Sequence, residues 1–173
     1  MRELADSTRI DQFMRELGRA APVEGRVYLT GGATAVLHGW RETTIDVDIK
    51  LIPDHDEILR EIPRLKEALN LNVELAAPSD FIPLPAGWED RSPLIRQEGK
   101  LSFHHFDPVA QALSKVERGH EQDIRDVKDM IAAGLVNPAE ALAQFEAIEP
   151  DLYRFPAIDS VTFRTAVEEL FSA

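Results

Sequence analysis

The chain contains no cysteine. That excludes disulfides and thiolate metal sites, and leaves only oxygen and imidazole ligands for any metal. Long hydrophobic runs are missing as well, with no stretch approaching the ~20 apolar residues that a bilayer-crossing helix needs. The start, Met1-Arg-Glu-Leu-Ala-Asp6, is charged and lacks the apolar stretch of a signal peptide, so a cytoplasmic location with no membrane partner is expected. Basic residues are in deficit: 19 Lys and Arg stand against 31 Asp and Glu, a formal charge of −12. Affinity for nucleic-acid backbones comes largely from Lys and Arg, so this balance argues against a broad phosphate-gripping surface, although a local basic patch can sit on an acidic body. The rest is the composition of an ordinary globular chain, with 173 residues, 44% of them hydrophobic and 29% charged.

Apolar spacing sets the expected elements. Ile10, Phe13, Met14 and Leu17 predict an amphipathic helix from about Thr8 to Arg19. Arg26–Thr30 reads as a strand running into Gly31-Gly32, and Ala33–His38 as a short helix. Ile45–Ile52 alternates as a strand with one apolar and one acidic face. Asp54 is placed to cap a helix reaching Leu69 that Pro63 should kink or split, and Asn72–Ala76 is a third strand. Pro78 to Pro93, with four prolines and Trp88, reads as an ordered loop, followed by a hairpin of Leu94–Gln97 and Lys100–Phe106 around Glu98-Gly99. The remainder is helical, its starts marked by Asp107-Pro108, Asn137-Pro138 and Asp159-Ser160. The plan is mixed α/β (α+β): a core over residues 1–106 and a C-terminal helical subdomain over 107–173, packed as one compact domain.

Two features carry chemistry. Gly31-Gly32 lies between a strand and a helix start, where absent Cβ atoms and free N–H donors let a phosphate approach; a plain tight turn has the same sequence. Asp46 and Asp48 are two apart in a strand, so both carboxylates face one side. Either they form the solvated face of an edge strand, or their mutual repulsion is relieved by a divalent cation with oxygen ligands.

Glycine pair, short helix, Arg41, Thr43 or Thr44, then Asp46-Val-Asp48 resembles the core motif of the polymerase-β-type nucleotidyltransferase superfamily. The resemblance implies the nucleotidyltransferase fold, a small mixed sheet flanked by helices. It also implies a turn at Gly31 and Gly32 that holds nucleotide phosphates, and metal-binding aspartates. A third carboxylate on a following strand should complete the set. Val73-Glu74-Leu75 fits, making Glu74 the choice and Asp80 the fallback. Arg41-Glu-Thr-Thr-Ile-Asp-Val-Asp48 is further similar to minimal prokaryotic nucleotidyltransferases, including AbiEii-type toxins, which carry a lysine and then aspartates on C-terminal helices. Lys115, Asp123 and Asp126 match those positions. One departure is Gly32, where the toxins often have serine.

What the resemblance implies is nucleotidyl transfer from an NTP, with two Mg²⁺ or Mn²⁺ ions held by Asp46, Asp48 and Glu74. Gly31, Gly32, Arg41, Thr44 and Lys115 would contact the nucleotide. The acceptor could be a small molecule, RNA or protein, and a toxin would have an antitoxin partner. Two other functions compete: a non-catalytic nucleotide- or protein-binding domain of the same fold, and an antibiotic-modifying nucleotidyltransferase, whose cationic acceptor would suit an acidic cleft. Other residues have plainer expected roles. Asp123 and Asp126 share a helical face and could pair with Lys115 or Arg118. His104 and His105 are consecutive in a strand and should point to opposite faces. His38, Trp40 and Trp88 are expected to pack, and His120 to sit in a helix–helix turn.

Overall fold

A computed structural model describes residues 2–172. The chain divides into two compact units: Met1–Ala77 with Ser92–His105, and Pro78–Arg91 with Phe106–Ala173.

The first unit is a five-stranded mixed sheet in the order β3-β2-β1-β5-β4. Its strands are β1 (Gly25–Thr30), β2 (Asp46–Ile52), β3 (Asn72–Leu75), β4 (Leu94–Glu98) and β5 (Leu101–His105). β1 runs antiparallel to β2 and parallel to β5, while β3 runs parallel to β2. Val47, Ile49 and Leu51 of β2 are buried, and so are their same-face neighbours Val27, Leu29, Val73, Leu101 and Phe103. They form one core with Ile10, Phe13, Met14 and Leu17 of helix α1 (Ser7–Ala20), Ala33 and Val36 of α2 (Gly32–His38), and Ile58, Ile62 and Leu65. Strand alternation then puts Arg26, Tyr28, Thr30, Asp46, Asp48, Lys50, Asn72, Glu74, Ser102 and His104 on the opposite, polar face.

The segment after β2 departs from expectation in detail. Asp54 does not cap; His55 holds the N-cap position of α3 (Asp56–Leu59) without a side-chain bond. The break to α4 (Glu61–Ala68) comes at Arg60, not at Pro63. Pro63 thereby falls in the first turn of α4, where its missing N–H and fixed φ cost nothing.

The second unit holds α5 (Pro108–Arg118), α6 (Glu121–Ala132), α7 (Pro138–Ile148) and α8 (Ser160–Phe171). Asp107, Asn137 and Asp159 cap α5, α7 and α8 by accepting from the backbone N–H groups of Val109, Glu140 and Thr162. Loop 78–91, counted with the core in the sequence-based division at residue 106, belongs to this helical unit instead. The reason is side-chain anchoring: Trp88 stacks on Phe106 at 4.6 Å, Arg91 pairs with the buried Asp107 at 2.8 Å, and Phe81 lies under Arg118. Among the described residues no helix is long and apolar enough to cross a membrane.

Candidate functional site

The turn after β1 is built around two glycines with different jobs. Gly31 has φ 64° and ψ −131°, a conformation costly for any residue with a side chain. A Cβ at Gly31 would stand 3.0 Å from Oδ2 of Asp48, so the turn backbone lies directly against that carboxylate. Gly32 has no positive φ, and its constraint is space. A Cβ there would meet the Thr44 hydroxyl at 2.1 Å, Thr44 Cβ at 2.7 Å and Arg41 Nη1 at 3.0 Å. Thr44 cannot retreat, because its backbone exchanges hydrogen bonds of 2.8 and 2.9 Å with Ala5, and its hydroxyl donates to the Asp46 carbonyl at 3.1 Å. The hydroxyl of Thr44 thus occupies the space that a side chain at position 32 would need. Gly32→Ala is expected to destabilise the protein by about 1–3 kcal/mol, read by urea unfolding. Combining it with Thr44→Ala should recover only part of the loss, since the Cβ contact remains.

Sheet register puts the carboxylates on one face. Asp46 pairs with Asn72 and Asp48 with Glu74 across β2 and β3, while Thr30 of β1 pairs with Asp48. Asp46, Asp48 and Glu74 therefore share the polar face beside the glycine turn, where Asp46 and Asp48 are half-buried and Glu74 is exposed. Asn72, which the sequence reading passed over, links two of them. Its amide nitrogen donates to Asp46 Oδ1 and, at 3.2 Å, to Glu74 Oε1. The only hint in sequence was its place two residues before Glu74 on the same strand, hence on the same face.

The donor set is all carboxylate and amide, the hard-oxygen chemistry suited to Mg²⁺ or Mn²⁺. Among the described residues no group of three or more His, Asp or Glu side chains is already drawn together tightly enough to hold a cation. In this arrangement the Asn72 amide supplies the positive hydrogen-bonding edge between Asp46 and Glu74.

Gly31, Gly32, Arg41, Thr44, Asp46, Asp48 and Glu74 thus gather in the first unit. Lys115, Asp123 and Asp126 lie in the second, where Lys115 Nζ meets Asp126 Oδ2 at 2.9 Å and Asp123 Oδ1 at 3.9 Å, and Arg118 meets Asp123 at 2.7 Å. Asp80 sits in a short 3₁₀ helix of that second unit, not on a strand. His120 occupies the N-cap position of α6.

The two strand histidines do face opposite ways. His104 stacks on Tyr28 at 5.2 Å, and its ring nitrogens meet the Ser92 carbonyl and the Ser102 hydroxyl. His105 Nδ1 lies 3.2 Å from the Thr34 hydroxyl, and its ring is 4.4 Å from that of His38, which in turn stacks on Trp40. Burial, aided by the neighbouring His38, lowers the His105 pKa from 6.5 to about 4. Because the folded value lies below the unfolded one, the unfolded chain takes up the extra proton between those values. Stability attributable to His105 is therefore full above pH 6.5 and is lost as pH falls towards 4, by up to about 1.4 kcal/mol per unit. Urea unfolding at pH 7, 6 and 5 should show a shallower pH slope for His105→Gln than for wild type.

The sequence model of a family described as a nucleotidyltransferase of unknown function (DUF6036) matches residues 6–146, a span containing every candidate residue above. No curated protein and no solved structure matches the chain.

Proposed function

This chain belongs to that nucleotidyltransferase family, and from that premise we propose that it moves a nucleoside monophosphate from an NTP to an acceptor, using divalent ions held by Asp46, Asp48 and Glu74. One observation carries the reading: the Gly31 backbone lies against the Asp48 carboxylate, on the same sheet face as Asp46 and Glu74. A phosphate chain received at the Gly31-Gly32 turn would thus lie beside the carboxylates.

When bound, two divalent ions supply charge neutralisation at the transferring phosphorus and lower the pKa of the acceptor hydroxyl. The protein's own part is positioning and electrostatics. Gly31 and Gly32 give the phosphates access to the turn backbone, and Arg41, beside Gly32, adds positive charge there. Thr44 fixes the turn against β2 through the Asp46 carbonyl. Asn72 hydrogen-bonds both Asp46 and Glu74, and Glu74, exposed at the sheet edge, would receive the acceptor's proton. Lys115 is tied to Asp126 and serves α5 and α6 first.

The finer reading places the chain in the polymerase-β-type superfamily, near prokaryotic toxin nucleotidyltransferases. Incubation with each radiolabelled NTP, Mg²⁺ and cell extract tests it. Label on transfer RNA supports the toxin function, and label on a small molecule supports a modifying enzyme. Absence of both transfer and Mg²⁺-dependent NTP binding would leave a non-catalytic domain.

A further inference from the structure

One cation on the polar sheet face is left over. β2 sends Asp46, Asp48 and Lys50 to that face, and Lys50 stands two residues beyond Asp48, roughly 7 Å along the strand. The rest of its row is engaged. Tyr28, opposite Lys50 on β1, is buried and stacks on His104, whose ring nitrogens meet the Ser92 carbonyl and the Ser102 hydroxyl. On the other side β3 ends at Leu75, opposite Ile49, so no β3 residue faces Lys50. Among the described residues, half-buried Lys50 has no hydrogen-bond or ion-pair partner. β2 is an interior strand, so the common duty of a strand lysine, blunting an exposed edge, does not apply.

Its place decides which part of a transfer it could serve. From Thr30, opposite Asp48, the chain turns through Gly31 to Gly32, which lies against Thr44 and Arg41. The phosphate turn is therefore towards the start of β2, and Lys50 lies the other way along the strand. In phosphoryl displacement the attacking and leaving oxygens are roughly in line through phosphorus. With pyrophosphate received at the turn, the attacking hydroxyl would enter from the Lys50 side. Its oxygen would bond to the α-phosphorus as the α–β bridging P–O bond breaks. Pyrophosphate leaves with that electron pair, and the hydroxyl proton passes to Glu74.

We propose that Lys50 selects the acceptor by holding a phosphate group that the acceptor carries roughly 7 Å or less from its attacking hydroxyl. This rests on the transfer function proposed above and narrows it to phosphorylated acceptors. A cationic acceptor is disfavoured twice. It would meet Lys50, and two divalent ions more than balance Asp46, Asp48 and Glu74, so the loaded face is no longer acidic. An ammonium on a flexible stem is a point charge without bidentate geometry. A phosphomonoester and the last phosphodiester of an RNA 3′ end therefore offer it the same chemistry.

Glycerol 3-phosphate, glycerol and a short RNA with a 3′-hydroxyl, each titrated into the full chain, test it through amide chemical shifts. Mg²⁺ and an NTP with a methylene α,β-bridge, which cannot transfer, fill the nucleotide site. The phosphorylated probes should give saturable shifts at residues 48–51 and 74–76, and glycerol none. Lys50→Gln should weaken them at least about tenfold and Lys50→Glu further, while both variants bind the NTP analogue within about twofold of wild type. Tighter binding of the RNA assigns the phosphate to a nucleic-acid end, and tighter binding of glycerol 3-phosphate to a small molecule; either order supports Lys50 as the selector. Three results would overturn it: no saturable shift at those residues with either phosphorylated probe, normal binding of both by Lys50→Gln, or an equal loss of NTP affinity in Lys50→Gln, which would make Lys50 a triphosphate contact. Failure of the transfer function itself reads differently, as wild type that does not bind the NTP analogue with Mg²⁺, and it takes this role of Lys50 with it.

Discussion

Asp46→Ala/Asp48→Ala should lower nucleotidyl transfer by at least about 10³-fold while leaving the protein folded. Both side chains lie on the polar face of β2, whose opposite face supplies Val47, Ile49 and Leu51 to the core, so the substitution removes no apolar packing. It also removes two like charges from one side of a strand, which relieves repulsion in the metal-free protein. The unliganded variant should melt close to wild type, the relieved repulsion offsetting the lost Asn72–Asp46 hydrogen bond. The ligand effect should separate them clearly. Mg²⁺ with NTP at 100 times its dissociation constant would stabilise wild type by about 2.7 kcal/mol, and the variant should show none of that gain. Initial rates with radiolabelled NTP and melts with and without Mg²⁺ give both readouts. Undiminished transfer by the variant would remove these carboxylates from the chemistry.

The arrangement of the candidate site was legible where its parts are local. Strand, glycine turn, short helix and Asp46-Val-Asp48 occupy one continuous stretch, and alternation alone put both aspartates on one face. Glu74 was legible as an acid between two apolar residues. What alternation could not supply was register. That Asp46 lies opposite Asn72, and Asp48 opposite Glu74, follows from parallel pairing of β2 with β3 across two intervening helices, so Asn72 went unnoticed. The reason for Gly32 was hidden likewise: the residue it must accommodate, Thr44, is held in place by Ala5 from the start of the chain. Loop 78–91 was assigned by sequence continuity, whereas its allegiance is set by Trp88, Arg91 and Phe81.

Asp126→Ala should cost up to about 3–5 kcal/mol, because it leaves a buried ammonium with only the more distant Asp123 carboxylate, at 3.9 Å, to offset its charge. Lys115 and Asp126 keep only 7% and 1% of their side-chain surfaces exposed, so solvent cannot substitute for the missing carboxylate. Gln122 also donates to Asp126 at 2.9 Å, but it is exposed, so water can take up its freed amide. Lys115→Met should cost less if the freed carboxylate keeps its Gln122 bond. The combined Lys115→Met/Asp126→Leu variant should recover most of the stability, because apolar residues of similar volume can replace a buried pair at little net cost. That recovery separates the observed clamp made by Lys115 from the proposed contact with the triphosphate. If the pair only clamps α5 to α6, the refolded double variant transfers nucleotide at close to the wild-type rate. If Lys115 also acts on the triphosphate, the variant is stable but slow, with the loss in KM for NTP when the contact is made equally in ground and transition states, and in kcat when it strengthens as charge develops.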